Sequence, residues 1–338
     1  MNRLLRKGLA AKAIAVMALG FAGAIAPAHA ESPGFSLNSQ LISPPSGMKT
    51  IGDSHGDIAV SPAGDIYVSV QGGERPGIQV YDDGGRYLRN VPNAPSDLHG
   101  FIIARSGRGS AHIFGVSRLA QQIVEMTLDG KIVLTIPASA IPDRYKKNDK
   151  QAINLTGIAV APNGDIYVTD GYGLDYIHRF DKAGRYLTSF GGREAPWNFD
   201  QCHKIAMDTR FSPVRLLCTD RRHDKLVQMD LSGRMIGVVA EGLRYPSALA
   251  VYGDELAVAE LKGRVSILDK EGKTVATLGA NDNVDEIRTN KAAPDIWREG
   301  FFYAPHGLTY DAKGNLWVTE FNQYGRVTVG RRLKAGSP

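Results

Sequence analysis

Tyr303-Ala-Pro-His-Gly-Leu-Thr-Tyr-Asp-Ala-Lys-Gly-Asn-Leu-Trp-Val-Thr-Glu320 holds two alternating apolar segments joined by a short Gly-centred turn. That is the pattern of an antiparallel β-hairpin. The unit returns as Thr156-Gly-Ile-Ala-Val-Ala-Pro-Asn-Gly-Asp-Ile-Tyr-Val-Thr-Asp170, as Asp57-Ile-Ala-Val-Ser-Pro with Asp65-Ile-Tyr-Val-Ser-Val70, and in further copies beginning at His99, His203 and Ser247. Self-similar hairpins at intervals of roughly 40–50 residues indicate a propeller, whose repeats bury their apolar faces against one another. Two more short strands follow each hairpin, so the repeat reads as a four-stranded blade. The expected architecture is all-β: one six-bladed β-propeller over residues 31–338.

Segments outside the repeats have separate readings. Residues 31–53 form an irregular arm whose apolar piece, Phe35 to Ile42, is expected to add a strand to the last blade and close the ring. The charged stretch from Asp143 to Lys150 reads as a connecting loop. The polar insertion from Ala280 to Phe302 is too long for an ordinary connection and is expected to lie over one face.

Residues 1–30 combine a basic start (Arg3, Arg6, Lys7, Lys12), an apolar run from Ala13 to Ala26, and Ala28-His29-Ala30. This predicts a secretory signal peptide cleaved before Glu31, and thus a periplasmic or secreted protein with no membrane span after cleavage. The apolar run is shorter than the roughly 20 residues of a span. Losing four basic and no acidic residues takes the formal charge from +5 to +1. A nearly balanced chain without a Lys/Arg run excludes the electrostatic footprint of a nucleic-acid binder. The two cysteines, Cys202 and Cys218, are expected to form a disulfide, worth roughly 3 kcal/mol in the chain-entropy model.

The first strand of a propeller blade lines the central channel. Aligning the blades on the apolar triplets that begin at Phe101, Ile158, Ile205, Leu249 and Leu308 puts His99, Thr156, His203, Ser247 and His306 two places earlier. Blades 2, 4 and 6 therefore each supply one His at the same level, about 120° apart. Three converging imidazoles suit a Zn²⁺ ion with an open fourth position. In blade 1 the matching residue is Gly56. His55 falls one place early and, with His112, His178 and His223, is expected to be structural or solvated.

The hairpins resemble those of NHL-repeat propellers, and the three-His pattern resembles the core of peptidyl-α-hydroxyglycine α-amidating lyases (peptidylamidoglycolate lyases). The motifs are Pro305-His306-Gly307-Leu308, Asp170-Gly171-Tyr172 and Asp220-Arg221. The resemblance implies zinc on His99, His203 and His306, with Tyr172 as base or proton carrier and Arg221 orienting a carboxylate or polar oxygen. It also implies a structural calcium ion, although the Asp that can follow the last histidine is Gly307 here. The family's arginine after the second strand of blade 1 is replaced by a loop with Gln71 at the nearest position and Arg75 displaced. The expected protein is a monomeric, exported carbon–nitrogen lyase acting on a small-molecule or peptide substrate. The rival expectation is a binding scaffold of the cell envelope whose metal braces the channel.

Overall fold

A computed structural model describes residues 34–105, 109–147 and 152–333. The expected signal peptide lies outside the described residues. The described chain forms six four-stranded antiparallel sheets, five of which follow chain order strand by strand. First strands of neighbouring blades touch all the way round, the first with the sixth included, so the sheets form a closed ring. These six inner strands are Ile58–Val60, Leu98–Arg105, Gly157–Val160, Cys202–Asp208, Pro246–Tyr252 and Pro305–Tyr310.

Closure is made by the N-terminal arm. Phe35–Asn38 pairs antiparallel with Val327–Arg332, so the last blade takes its outermost strand from the beginning of the chain. Apolar residues of adjacent blades share each core cluster. Ile58, Val68 and Tyr81 of blade 1 pack with Trp317, Val327 and Val329 of blade 6, and Tyr167 and Ile177 of blade 3 with Leu216 and Val227 of blade 4. Four outer turns repeat Asp-x-x-Gly, in which the carbonyls of Asp82, Asp181, Asp230 and Asp269 accept the N–H of the glycine three places on. Each glycine has a positive φ, which the turn requires.

Cys202 and Cys218 are bonded to each other on the first two strands of blade 4. Register shifts interrupt four inner strands, between Leu98 and Gly100, Cys202 and Ile205, Pro246 and Ala248, and Pro305 and Gly307. A bulge re-aims a side chain out of the pleat's alternation. The residues at these irregularities include His99, His203, Ser247 and His306.

Candidate metal centre

His99, His203 and His306 are almost fully buried, each at most 2% exposed. Their ring centroids are 5.0 Å apart for His99 and His203, 5.0 Å for His99 and His306, and 5.2 Å for His203 and His306. Three chain segments far apart in sequence thus bring three imidazoles to one point.

His55 joins them, contrary to the register argument. Its ring lies 5.0 Å from that of His99 and 4.9 Å from that of His306. Ligand atoms of His55, His99 and His306 all fall within 4.8 Å of one another. The reason is local. Blade 1 begins its inner strand only at Ile58, and the preceding residues are not in that sheet, with Ser54 bridged to Asn322 of blade 6. The chain enters blade 1 differently, so a residue one place early still reaches the axis.

The donor set fits a cation. Nδ1 of His99 lies 2.8 Å from the Thr156 carbonyl and Nδ1 of His203 lies 2.9 Å from the Ser247 carbonyl. A carbonyl only accepts, so at His99 this bond puts the proton on Nδ1 and leaves Nε2 as a lone pair, as a backbone carbonyl does behind a metal-bound histidine. Nε2 of His99 and both ring nitrogens of His306 are buried with no hydrogen-bond partner. Such orphaned polar atoms are costly unless something binds them. Desolvation by burial, helped by the nearby Arg118 and Arg221, holds His55 down to about 3, and burial first of all holds His99, His203 and His306 well below the ordinary value. Neutral imidazoles are the form that ligates metal.

Tyr172 and Arg221 are at the same place. The Tyr172 hydroxyl is 3.0 Å from Nε2 of His203, and Nη1 of Arg221 donates to that hydroxyl at 3.3 Å. Nη2 of Arg221 also stands 2.8 Å from Nδ1 of His203, so that nitrogen can serve the guanidinium or the Ser247 carbonyl but not both. Gly171 permits the approach. A Cβ there would lie 2.5 Å from the Cys202 carbonyl and 2.8 Å from the Cα of His203.

Carboxylates brace this face without touching the imidazoles. Asp170, Asp220, Glu260 and Glu320 end or directly follow the second strands of blades 3 to 6, and each accepts backbone N–H groups from the loop entering its own blade, namely Asn154, Asp200, Arg244, and Tyr303 with Ala304. Asp175 accepts the N–H of Cys202 at 3.0 Å and thereby ties the Tyr172 loop to the strand bearing His203. Their sequence signal was the repeated acid after Val-Thr, Cys-Thr, Val-Ala and Val-Thr. Below the imidazoles Lys204 forms a buried ion pair with Asp57, joining blades on opposite sides of the axis. Beyond it lies a cavity of about 320 Å³, which Lys204 also lines.

The remaining histidines lie elsewhere. Nδ1 of His112 faces Glu125 at 2.6 Å, that of His178 faces Ser189 at 2.7 Å, and that of His223 faces Asp220 at 2.8 Å. Gln71 donates to the Leu98 carbonyl, and Arg75 lies over Tyr87.

No protein-family model matches the chain. A stretch of 52 residues, 12% of the chain, is 36% identical to peptidyl-alpha-hydroxyglycine alpha-amidating lyase 2 of Drosophila melanogaster, and spans 13% of that relative. Among solved structures, a streptogramin B lyase superposes with a TM-score of 0.57 at 16% identity over 89% of this chain and 99% of its own. A virginiamycin B lyase of Staphylococcus aureus, in a catalytically inactive variant with quinupristin, gives 0.52 at 19% identity over 85% and 82%. An auxiliary nutrient binding protein of Bacteroides thetaiotaomicron gives 0.59 at 13% identity over 89% and 77%. By fold the chain is a six-bladed β-propeller, and its sequence likeness to an amidating lyase is confined to one short segment.

Proposed function

We propose that this propeller is an exported, zinc-dependent lyase that breaks the carbon–nitrogen bond of an α-hydroxyglycine-type substrate, a peptidylamidoglycolate or a related small molecule. The observation that carries the reading is the Tyr172 hydroxyl, within hydrogen-bonding range of both His203 and Arg221 beside a cluster of uncharged imidazoles. His99, His203 and His306, with rings about 5 Å apart, would hold the ion, and His55, whose ligand atom lies within 4.8 Å of those of His99 and His306, would stand beside them as a fourth imidazole. Zinc bound there supplies a Lewis acid for a substrate oxygen.

The chain's own groups would do the rest. Tyr172 relays a proton: its oxygen accepts that of the substrate hydroxyl as the substrate oxygen becomes a carbonyl, while its own O–H proton passes to the amide nitrogen as the carbon–nitrogen bond breaks. The products are glyoxylate and a primary amide, so atoms and electrons balance without a redox partner. Arg221, 3% exposed, orients the substrate's carboxylate. A polar cavity of about 510 Å³ bordered by Gly171, Arg193 and Arg222 adjoins the Tyr172 loop and offers room for the remainder of the substrate. The Asp that the resemblance places after the last histidine is Gly307 here, where an added Cβ would lie 2.8 Å from the Asp57 Cα, so this reading assigns calcium no residues.

One observation favours the scaffold instead: four imidazoles could fill a tetrahedral ion's coordination and leave no open position. Glyoxylate release from an α-hydroxyglycine-extended peptide by the zinc-loaded protein tests the lyase. No release at full zinc occupancy would leave the scaffold as the reading.

A further inference from the structure

Arginines without acids crowd the mouth of the channel. The guanidinium of Arg118 lies 5.8 Å from the centre of the Tyr172 ring and that of Arg221 lies 6.0 Å from it. Arg221 is also 5.3 Å from the centre of the Tyr245 ring, where Arg288 of the 280–302 insertion stands at 4.4 Å. Among the described residues no carboxylate forms an ion pair with Arg118, Arg221 or Arg288, whereas most other arginines of the chain have one.

Local bonding explains why Arg118 is left facing the mouth. It directly follows Ser117, the last residue of the second strand of blade 2. The nearest acid in that loop, Asp97, is occupied by the Ser117 hydroxyl at 2.8 Å and the Leu119 N–H at 2.7 Å. Arg221 is buried, and among the described residues its side-chain nitrogens meet Tyr172, His203 and the Pro246 carbonyl. Like charges gathered around two aromatic rings, one of them desolvated, repel one another unless an anion joins them. The planar fork of arginine matches a carboxylate.

We propose that Arg118, together with Arg221, binds a carboxylate of the substrate from either side of Tyr172, and that this pair makes the site select anionic over neutral ligands. Arg118 thereby supplies from blade 2 the cation that the Gln71 loop of blade 1 does not, since Gln71 is spent on the Leu98 carbonyl. That the anion is a carboxylate rests on the lyase reading; the convergence of arginines does not.

The test uses hippurate, which lacks the hydroxyl and cannot react, and hippuramide, its neutral counterpart. Calorimetric titration of the mature, zinc-loaded protein should show hippurate binding at least about tenfold more tightly. Arg118→Gln should weaken hippurate by roughly 10- to 100-fold, the range for a hydrogen-bonded ion contact, and leave hippuramide unchanged. Arg118→Lys should recover part of the loss. A wild type with no preference for hippurate, or an Arg118→Gln variant that loses both ligands equally, overturns the proposal. Selective loss of hippurate in a protein that releases no glyoxylate would keep the anion site and refute the lyase.

Discussion

The Tyr172 hydroxyl lies 3.0 Å from Nε2 of His203, although the two residues belong to different blades. The contact joins the loop after the second strand of blade 3 to the inner strand of blade 4, and Asp175 holds the two together through the Cys202 N–H. The Tyr172 ring also packs against those of His99 and His203, each 5.2 Å away, and phenylalanine keeps that packing. Tyr172→Phe should therefore keep fold and zinc but lose turnover by roughly 10²- to 10⁴-fold, measured as glyoxylate release at matched zinc occupancy. Arg221→Ala should act chiefly on KM if its contact is equally strong in ground and transition states. Full activity in Tyr172→Phe would remove the tyrosine from the mechanism.

The inner-strand histidines of blades 2, 4 and 6 were legible because a repeat puts equivalent residues of each blade at one level of the channel, and the apolar triplets mark that equivalence without reference to structure. The closing arm was legible for a similar reason, since Phe35 to Ile42 is the apolar piece of an otherwise polar segment. His55 was not, because register arithmetic assumes that every blade enters the axis alike, and the short inner strand Ile58–Val60 does not. Nor was Arg118. Its position follows from Asp97 being occupied by neighbours, a consequence of three-dimensional bonding that no spacing rule expresses.

The ligand set can be separated by metal content. His99→Ala and His306→Ala should each take bound zinc from about one per chain to a small fraction of that. His203→Ala should do the same if its Nε2 leaves Tyr172 for the ion. His55→Ala should retain zinc with weaker affinity, because His55 is half-buried whereas the other three rings are almost fully buried. Zinc lost in His55→Ala but kept in His203→Ala would reassign the site to His55, His99 and His306.

Acid should weaken the metal-free protein. His55 and His178 are held down to about 3, and His99, His203 and His306 well below the ordinary value, in each case by burial first. The unfolded chain protonates these rings below about 6.5, so their contribution is present above that pH and lost as pH falls, by about 2 kcal/mol per ring at about pH 5. Asp170 and Asp175 act oppositely. Burial raises them to about 7 and about 6, so their contribution is present at low pH and lost as pH rises through those values. Urea unfolding with chelator present should show stability falling from about pH 7.5 to about pH 5, more steeply in Asp170→Asn than in wild type. Equal slopes would mean that Asp170 is ionised throughout.

The pair of Lys204 and Asp57 should behave as a single unit. Both side chains are buried, at 7% and 5% exposure, and Asp57 also accepts the Phe101 N–H at 3.0 Å. Lys204 follows His203, Phe101 lies two places after His99, and Asp57 lies two places after His55, so the pair ties three histidine-bearing segments together across the axis. Removing one partner strands the other charge in a buried position, and Lys204→Met should cost roughly 3–5 kcal/mol of unfolding free energy. Asp57→Asn with Lys204→Met leaves no buried charge and keeps an oxygen for the Phe101 N–H, so the double variant should recover most of that loss. A four-member urea unfolding cycle measures the coupling. Losses that simply add would mean the two charges act independently, and zinc affinity would then be insensitive to Lys204→Met.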